Sequence, residues 1–134
     1  MAADLLAVAV QLPPIQLALG EAGCFRQRGM PEALWVGLSG GKTPLNGLQR
    51  AVEAAALARG HLPETRAFRP HLTLGRLGAG QPADAAGQVA AALQKVVMPP
   101  SGDWIASEFS LMRSDLLANG AKYTRLNKFA FRGH

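Results

Sequence analysis

The stretch "RPHLTLGR", Arg69–Arg76, alternates polar and apolar residues in the manner of a β-strand. Successive side chains of a strand point to opposite faces, so His71 and Thr73 are predicted to share one face, roughly 7 Å apart. Leu72 and Leu74 are then predicted to point into the core. The strand therefore presents an ionisable ring and a hydroxyl together on one side.

This pair of side chains has two interpretations. A neutral imidazole can accept or deliver a proton near pH 7, and a threonine hydroxyl can donate a hydrogen bond to a phosphoryl oxygen. The alternative is a strand histidine whose hydrogen bonds serve only the fold. The sequence around His71 and Thr73 is therefore needed to choose between the catalytic and the structural interpretation.

Working outward from this strand, hydrophobic periodicity and the positions of Gly and Pro predict the other elements. They are a helix over 2–10, strands over 15–25 and 33–39 joined by a turn at 26–32, a helix ending at Gly60, a strand over 71–77, a helix over 82–97, and strands over 104–113 and 122–131 around a turn at 115–122. For the helix that ends at Gly60, Thr43 is predicted as the N-cap and Pro44 as the first helical residue.

The predicted order is that of an α+β fold with mostly antiparallel pairing, because a hairpin stands towards each end of the chain. The length of 134 residues and an apolar content of 49% favour one domain over residues 1–134.

Composition narrows the class of partner. Fourteen Lys and Arg against nine Asp and Glu give a net charge of +5, which favours an anionic partner such as RNA or a phosphorylated small molecule. The lone Cys24 cannot form an internal disulfide, and the N-terminal stretch lacks the basic region of a signal peptide. No apolar run approaches the roughly 18 residues of a membrane span. These features predict a cytoplasmic protein without a membrane partner.

The segment "SGGKT", residues 39–43, resembles a phosphate-binding loop at first sight. The full signature needs a glycine five positions before Gly41, where this sequence has Val36, and Pro44 removes an amide donor from the start of the helix. A turn followed by a helix cap explains the segment better.

Histidine and cysteine spacing predicts no metal site and no cofactor. The three histidines are scattered, and the chain has no HxxE or CxxC pattern. His61 is interpreted as a solvated residue after a helix end, and His134 as part of the chain terminus.

Two longer stretches, "FRPHLTLGRL" and "LMRSDLLANGAKYTRL", decide between the two interpretations of the histidine. Together with the hairpin "IQLALGEAGCF…ALWVGLSGG" and the helix "PLNGLQRAVEAAALARG", they resemble the LigT-like RNA 2′,3′-cyclic phosphodiesterases of the two-histidine phosphoesterase superfamily, the 2′-5′ RNA ligase family. The resemblance covers nearly the whole chain. It implies a bilobal fold, each lobe a small antiparallel sheet backed by helices, with the active site in the cleft between the lobes.

The resemblance also implies roles for individual residues. His71 corresponds to the second catalytic histidine, and Thr73 to its phosphate-contacting partner. Arg76 lies off the face of His71 by parity and is expected to support the site less directly. The substrate is expected to be an RNA with a 2′,3′-cyclic phosphate end or a small cyclic nucleotide. Positive charge predicts a set of residues that steer its phosphates, with Tyr123 as a stacking platform for a base; they are Arg69, Arg76, Arg113, Lys122 and Arg125. The alternative is that about half of these charges are ordinary solvated surface residues.

The family carries two HxT motifs, and this sequence has one. In the family the first motif lies in a strand, helix and strand that precede the elements found here, so the domain is expected to be incomplete at its N-terminus. Three functions follow: a cyclic phosphodiesterase with reverse 2′-5′ ligation, a non-catalytic remnant that binds RNA or phosphate, and a homodimer in which each copy contributes one HxT.

Overall fold

The computed structural model describes residues 1–27, 30–77, 84–96 and 103–133. Within these residues the elements follow one another as α1 (Ala2–Gln11), β1 (Ile15–Leu17), β2 (Leu19–Gln27), β3 (Met30–Leu38), α2 (Lys42–Leu57), β4 (His71–Arg76), α3 (Ala85–Lys95), β5 (Trp104–Ala106), β6 (Glu108–Leu117) and β7 (Gly120–Ala130). This is the predicted α+β fold, with small antiparallel sheets and helices. None of the helices described here is long and apolar enough to cross a bilayer.

The chain divides into two compact units, each built from separate stretches of sequence. One unit contains residues 1–15, 43–68 and those from Ile105 onward; the other contains residues 16–42 and 69–104. The first holds the antiparallel hairpin β6–β7, and the second holds the three-stranded sheet β2-β3-β4. The short strands β1 and β5 pair in a further two-stranded sheet.

The core of the first unit lies between α1 and the β6–β7 hairpin. Leu5 and Ala9, one helical turn apart on α1, are buried together with Phe129 of β7. Phe109 of β6 packs on this cluster, its ring centroid 5.2 Å from that of Phe129. The side chains at i and i+4 thus face the hairpin, whereas Leu6 and Val10 of the same helix are 51% and 41% exposed.

The start of α2 differs from the sequence prediction. The helix begins at Lys42, so Thr43 is its second residue and not the N-cap, and Pro44 is its third residue and not its first. Gly41 adopts a left-handed φ of 68°, which ends the preceding turn and lets the helix begin at the next residue. Pro44 is tolerated because the first turn of a helix does not need its N–H groups.

The predicted end of α2 is confirmed. Gly60 has a φ of 83°, its N–H donates to the carbonyl of Leu57, and the N–H of His61 donates to the carbonyl of Ala56. These two bonds form a Schellman motif, in which a left-handed glycine closes the helix.

Two predicted strands each divide in two, because their halves pair with different strands. The stretch 15–25 breaks at Ala18, whose carbonyl accepts a hydrogen bond from the N–H of Ser39. The stretch 104–113 breaks at Ser107, with β5 paired to β1 and β6 to β7.

Both predicted turns are too long. The predicted turn covers residues 26–32, but β2 continues to Gln27 and β3 already begins at Met30. Positions 28 and 29 lie outside the described residues. In the last hairpin Leu117 pairs with Gly120, so only residues 118 and 119 form the loop. The ends of the predicted helix 82–97 also lie outside the described residues, and α3 covers its central part.

Leu72 and Leu74 do not enter the core, and this prediction is wrong. Their exposed fractions are 49% and 64%. β4 pairs only with β3 and forms an edge of the sheet, whereas α3 makes its main contacts with β2 and β3. Alternation predicts which side chains share a face of β4. Whether that face is buried depends on α3, which packs mainly on β2 and β3.

Candidate active site

His71 and Thr73 lie on one face of β4, as the alternation predicts. In the β3–β4 register His71 is opposite Gly37 and Thr73 is opposite Trp35. Because paired residues share a face and both side chains are exposed, the imidazole and the hydroxyl are accessible from the same side of the sheet.

The backbone before β4 sets the tautomer of His71. Nδ1 of the ring lies 2.6 Å from the carbonyl oxygen of Arg69. A carbonyl oxygen can only accept a hydrogen bond, so Nδ1 carries the proton, and the neutral ring keeps an unprotonated Nε2. An exposed Nε2 with a free lone pair can accept a proton and, once protonated, can return it.

Aromatic rings surround His71 on the same face. The ring of Phe25 meets the imidazole edge to face, with centroids 4.8 Å apart and planes at 85°. Trp35 is tilted against Phe25 at 5.4 Å and lies 6.3 Å from His71. No sequence pattern placed Phe25 or Trp35 near the histidine, because their approach depends on the register of three strands.

Arg76 shares the face of His71, and the parity prediction is wrong. Between Thr73, opposite Trp35, and Gly75, the residue Leu74 has no partner on β3, so the strand contains a bulge. The extra residue reverses the alternation and brings Arg76 opposite Ala33, on the Trp35 face.

The guanidinium of Arg76 is only loosely paired. Its Nη1 lies 3.9 Å from Oε1 of Glu32, and both side chains are largely exposed. An exposed pair at this distance contributes little to stability, so an anionic ligand can compete for the guanidinium. Sequence analysis did not single out Glu32. The side chain of Arg69 is also exposed. The backbone carbonyl of Arg69 accepts the hydrogen bond from the imidazole of His71.

Arg113 and Tyr123 belong to the first unit, on the β6–β7 hairpin. The register pairs Arg113 with Thr124 and Tyr123 with Ser114, so the two side chains lie on opposite faces of the hairpin. Nε of Arg113 donates to the carboxylate of Asp115 at 3.0 Å.

The two other basic residues expected to bind phosphate are divided between the same two faces. Lys122 pairs with Asp115 on the Arg113 face, and Arg125 pairs with Met112 on the Tyr123 face. Tyr123 is exposed, with Arg125 two residues away on the same face.

The loop between α2 and β4 contains an ion pair that does not titrate near neutral pH. Arg66 donates to the carboxylate of Glu64 through Nε at 3.0 Å and Nη2 at 2.6 Å. These hydrogen bonds lower the pKa of Glu64 to about 2. The N–H of Glu64 donates to Glu53 of α2, which attaches the loop to that helix.

No three His, Cys, Asp or Glu side chains in the described parts of the chain are grouped so that they could hold a metal ion. His61 is exposed after α2, and His134 lies outside the described residues.

Comparison with known proteins gives the chain a family. Residues 1–117 match the family described as the 2′-5′ RNA ligase superfamily. The chain is 31% identical over 116 residues to the RNA 2′,3′-cyclic phosphodiesterase of Methanothermobacter thermautotrophicus, a match that covers 87% of this chain and 60% of that protein. It is 37% identical over 75 residues to the RNA 2′,3′-cyclic phosphodiesterase of Geobacillus stearothermophilus, covering 56% of this chain and 24% of that protein. The chain therefore spans less than two thirds of the length of these relatives.

Solved structures agree with the family. A protein of Thermus thermophilus superposes with a TM-score of 0.65 at 26% identity, covering 98% of this chain and 70% of that one. E. coli LigT complexed with 3′-AMP gives a TM-score of 0.66 at 26% identity, covering 97% of this chain and 67% of that one. The match over residues 1–117 and the shared fold confirm the resemblance: the chain belongs to the 2′-5′ RNA ligase superfamily.

Proposed function

We propose that this chain is part of an RNA 2′,3′-cyclic phosphodiesterase and that β4 supplies one of its two proton-transfer histidines. The observation that carries the proposal is the hydrogen bond from Nδ1 of His71 to the carbonyl of Arg69, which leaves Nε2 without a proton while Thr73 lies on the same face of β4. Relatives named RNA 2′,3′-cyclic phosphodiesterase support the same reaction.

The reaction opens a terminal 2′,3′-cyclic phosphate with water. The oxygen of water forms a bond to phosphorus, the bond from phosphorus to the 3′ oxygen breaks, and the product carries a 2′-phosphate. A base removes a proton from water while an acid on the opposite side of phosphorus protonates the 3′ oxygen. When the 5′ hydroxyl of a second RNA replaces water as nucleophile, its oxygen bonds to phosphorus, the bond to the 3′ oxygen breaks in the same way, and the two ends are joined by a 2′-5′ bond.

Each proposed residue has a distinct task. Nε2 of His71 accepts or delivers a proton, and the hydroxyl of Thr73 donates to a non-bridging phosphate oxygen. Arg76, on the same face, neutralises phosphate charge when it leaves Glu32. The remaining proposed contacts are Arg69 and two residues of the β6–β7 hairpin, Arg113 for phosphate and Tyr123 for stacking on a base. Because Arg113 and Tyr123 lie on opposite faces of the hairpin, we propose them as alternative contacts of the RNA end.

The proposal also covers the binding partner of the protein and its cellular compartment. RNA ends or small cyclic nucleotides fit the net charge of +5, and the lone Cys24 fits a reducing compartment such as the cytoplasm. We propose that residues 1–134 belong to a single phosphoesterase domain.

One imidazole cannot stand on both sides of phosphorus, and this sequence has one HxT. We therefore propose that the second histidine comes from outside these 134 residues, in a further segment or in a second copy. The test is an RNA oligonucleotide that is labelled at its 5′ end and terminates in a 2′,3′-cyclic phosphate. Conversion to a 2′-phosphate supports the proposal; tight binding without conversion, with a second HxT supplied, indicates the non-catalytic remnant instead.

Replacing Thr73 with valine is expected to weaken binding of a cyclic phosphate end by about 10- to 100-fold, the usual cost of a lost hydrogen bond to a charged group. Valine keeps the β-branched shape and removes the donor. Calorimetry or fluorescence anisotropy with a labelled RNA end measures the change. Thr73→Ser, which keeps the hydroxyl, is the matched control and should bind nearly as well as the unchanged protein. Equal affinity of the valine and serine variants would remove Thr73 from the site.

A further inference from the structure

We propose that Phe25 is a positioning residue for His71: its ring, supported by Trp35, holds the imidazole in the orientation that presents Nε2 to the substrate. The inference rests on the proposed function, because the orientation of Nε2 matters for activity only if His71 transfers a proton. It adds a residue that no motif of the sequence singles out.

The contact between Phe25 and His71 passes over an intervening strand. The two residues lie on β2 and β4, which flank β3 on either side. Neighbouring strands are about 4.8 Å apart, so the two backbones are separated by roughly twice that distance, yet the ring centroids are 4.8 Å apart. On β3 the residues opposite His71 and Phe25 are Gly37 and Ala33, which are four positions apart. Trp35 lies between these two positions on the same face, with its ring 5.4 Å from that of Phe25 and 6.3 Å from that of His71, so the three rings form one cluster across the sheet.

Trp35 supports Phe25 by packing alone. Its indole lies over Gly23, where a Cβ atom would stand 2.4 Å from Cζ2 of the ring. Nε1 of Trp35 is buried and has no hydrogen-bond partner among the described residues, so no hydrogen bond fixes the indole. Gly23 therefore provides the space in which Trp35 lies against β2 and contacts Phe25.

Two contacts of different kinds restrain the imidazole. The hydrogen bond from Nδ1 to the carbonyl of Arg69 fixes one edge of the ring but permits rotation about that bond. The perpendicular ring of Phe25 restricts this rotation, since aromatic pairs prefer edge-to-face geometry. Together they hold the imidazole in the orientation in which Nδ1 meets the carbonyl of Arg69 and Nε2 forms the other edge of the ring.

The test replaces Phe25 with leucine, which keeps most of the apolar volume and removes the ring. We expect the imidazole ¹⁵N chemical shifts of His71, assigned with His71→Ala, to move from the Nδ1–H tautomer towards the mixture found in free histidine. With a second HxT supplied, kcat should fall by roughly 3- to 10-fold, the size expected for one aromatic pair, while KM changes by less than about 2-fold.

Three further variants separate positioning from folding. Phe25→Tyr keeps the ring and should restore both the tautomer and kcat. Gly23→Ala leaves Phe25 in place but displaces Trp35, and should shift the tautomer in the same direction as leucine does. Cys24→Ala, the matched control on the opposite face of β2, should leave both readouts unchanged.

The outcomes distinguish the inference from the proposed function. If Phe25→Leu and Gly23→Ala fold and leave the tautomer of His71 unchanged, the positioning role is overturned. It is also overturned if Phe25→Tyr folds but loses as much kcat as Phe25→Leu does. The two proposals can also fail separately. If the variants shift the tautomer of His71, the positioning role is upheld. If the unchanged protein hydrolyses no cyclic phosphate when a second HxT is present, the proposed function is refuted.

Discussion

Supplying a second HxT histidine to this chain is expected to raise its rate of cyclic phosphate hydrolysis by about 10² to 10⁴, and His71→Ala is expected to abolish that gain. In the proposed reaction His71 performs one proton transfer, and without a second histidine the other is left to water. The chain offers a prepared Nε2 on β4, but it has no other histidine followed two residues later by threonine. The deficiency should therefore appear in kcat more than in substrate affinity.

The measurement uses an RNA oligonucleotide with a 2′,3′-cyclic phosphate end. An HxT-bearing segment of a relative is fused ahead of Met1 or added as a separate fragment. The control segment carries alanine in place of its HxT histidine and should restore no rate. Acid and base act as a unit, so removing either histidine should cost nearly as much as removing both.

Activity that rises with protein concentration would assign the second histidine to another copy of the chain. Full activity in a dilute 134-residue monomer would contradict the need for a second histidine. Activity of the restored protein that is indifferent to His71→Ala would remove β4 from the reaction.

Phe129→Ala is expected to lower the free energy of unfolding by about 3 to 5 kcal/mol. Phe129 of β7 is 4% exposed and belongs to the buried cluster that also contains Leu5 and Ala9 of α1. Its ring also packs on Phe109, with centroids 5.2 Å apart. Alanine would leave a cavity that the hairpin and the helix fill only in part, so the loss exceeds the transfer free energy of the ring.

Urea unfolding followed by circular dichroism measures this change. Leu62→Ala is the matched control, because Leu62 is 91% exposed in the loop after α2 and should change the free energy of unfolding by less than about 0.5 kcal/mol. A loss below about 1 kcal/mol for Phe129→Ala would show that α1 does not depend on this contact.

The sequence by itself determined the local features of the protein. Helical spacing gave α1 and α2, and alternation gave β4, because these patterns depend on residues only a few positions apart. For the same reason, the shared face of His71 and Thr73 was predicted before any pairing was known. The family resemblance also rested on local motifs, and the match over residues 1–117 confirms it.

Only the tertiary structure decided the surroundings of the histidine. The bulge at Leu74 reverses the alternation and brings Arg76 to the face of His71, and the three-strand register brings Phe25 over β3. The exposure of Leu72 depends on α3, whose main contacts are with β2 and β3. Each of these features arises from pairing or packing between residues far apart in the chain, which no local periodicity specifies.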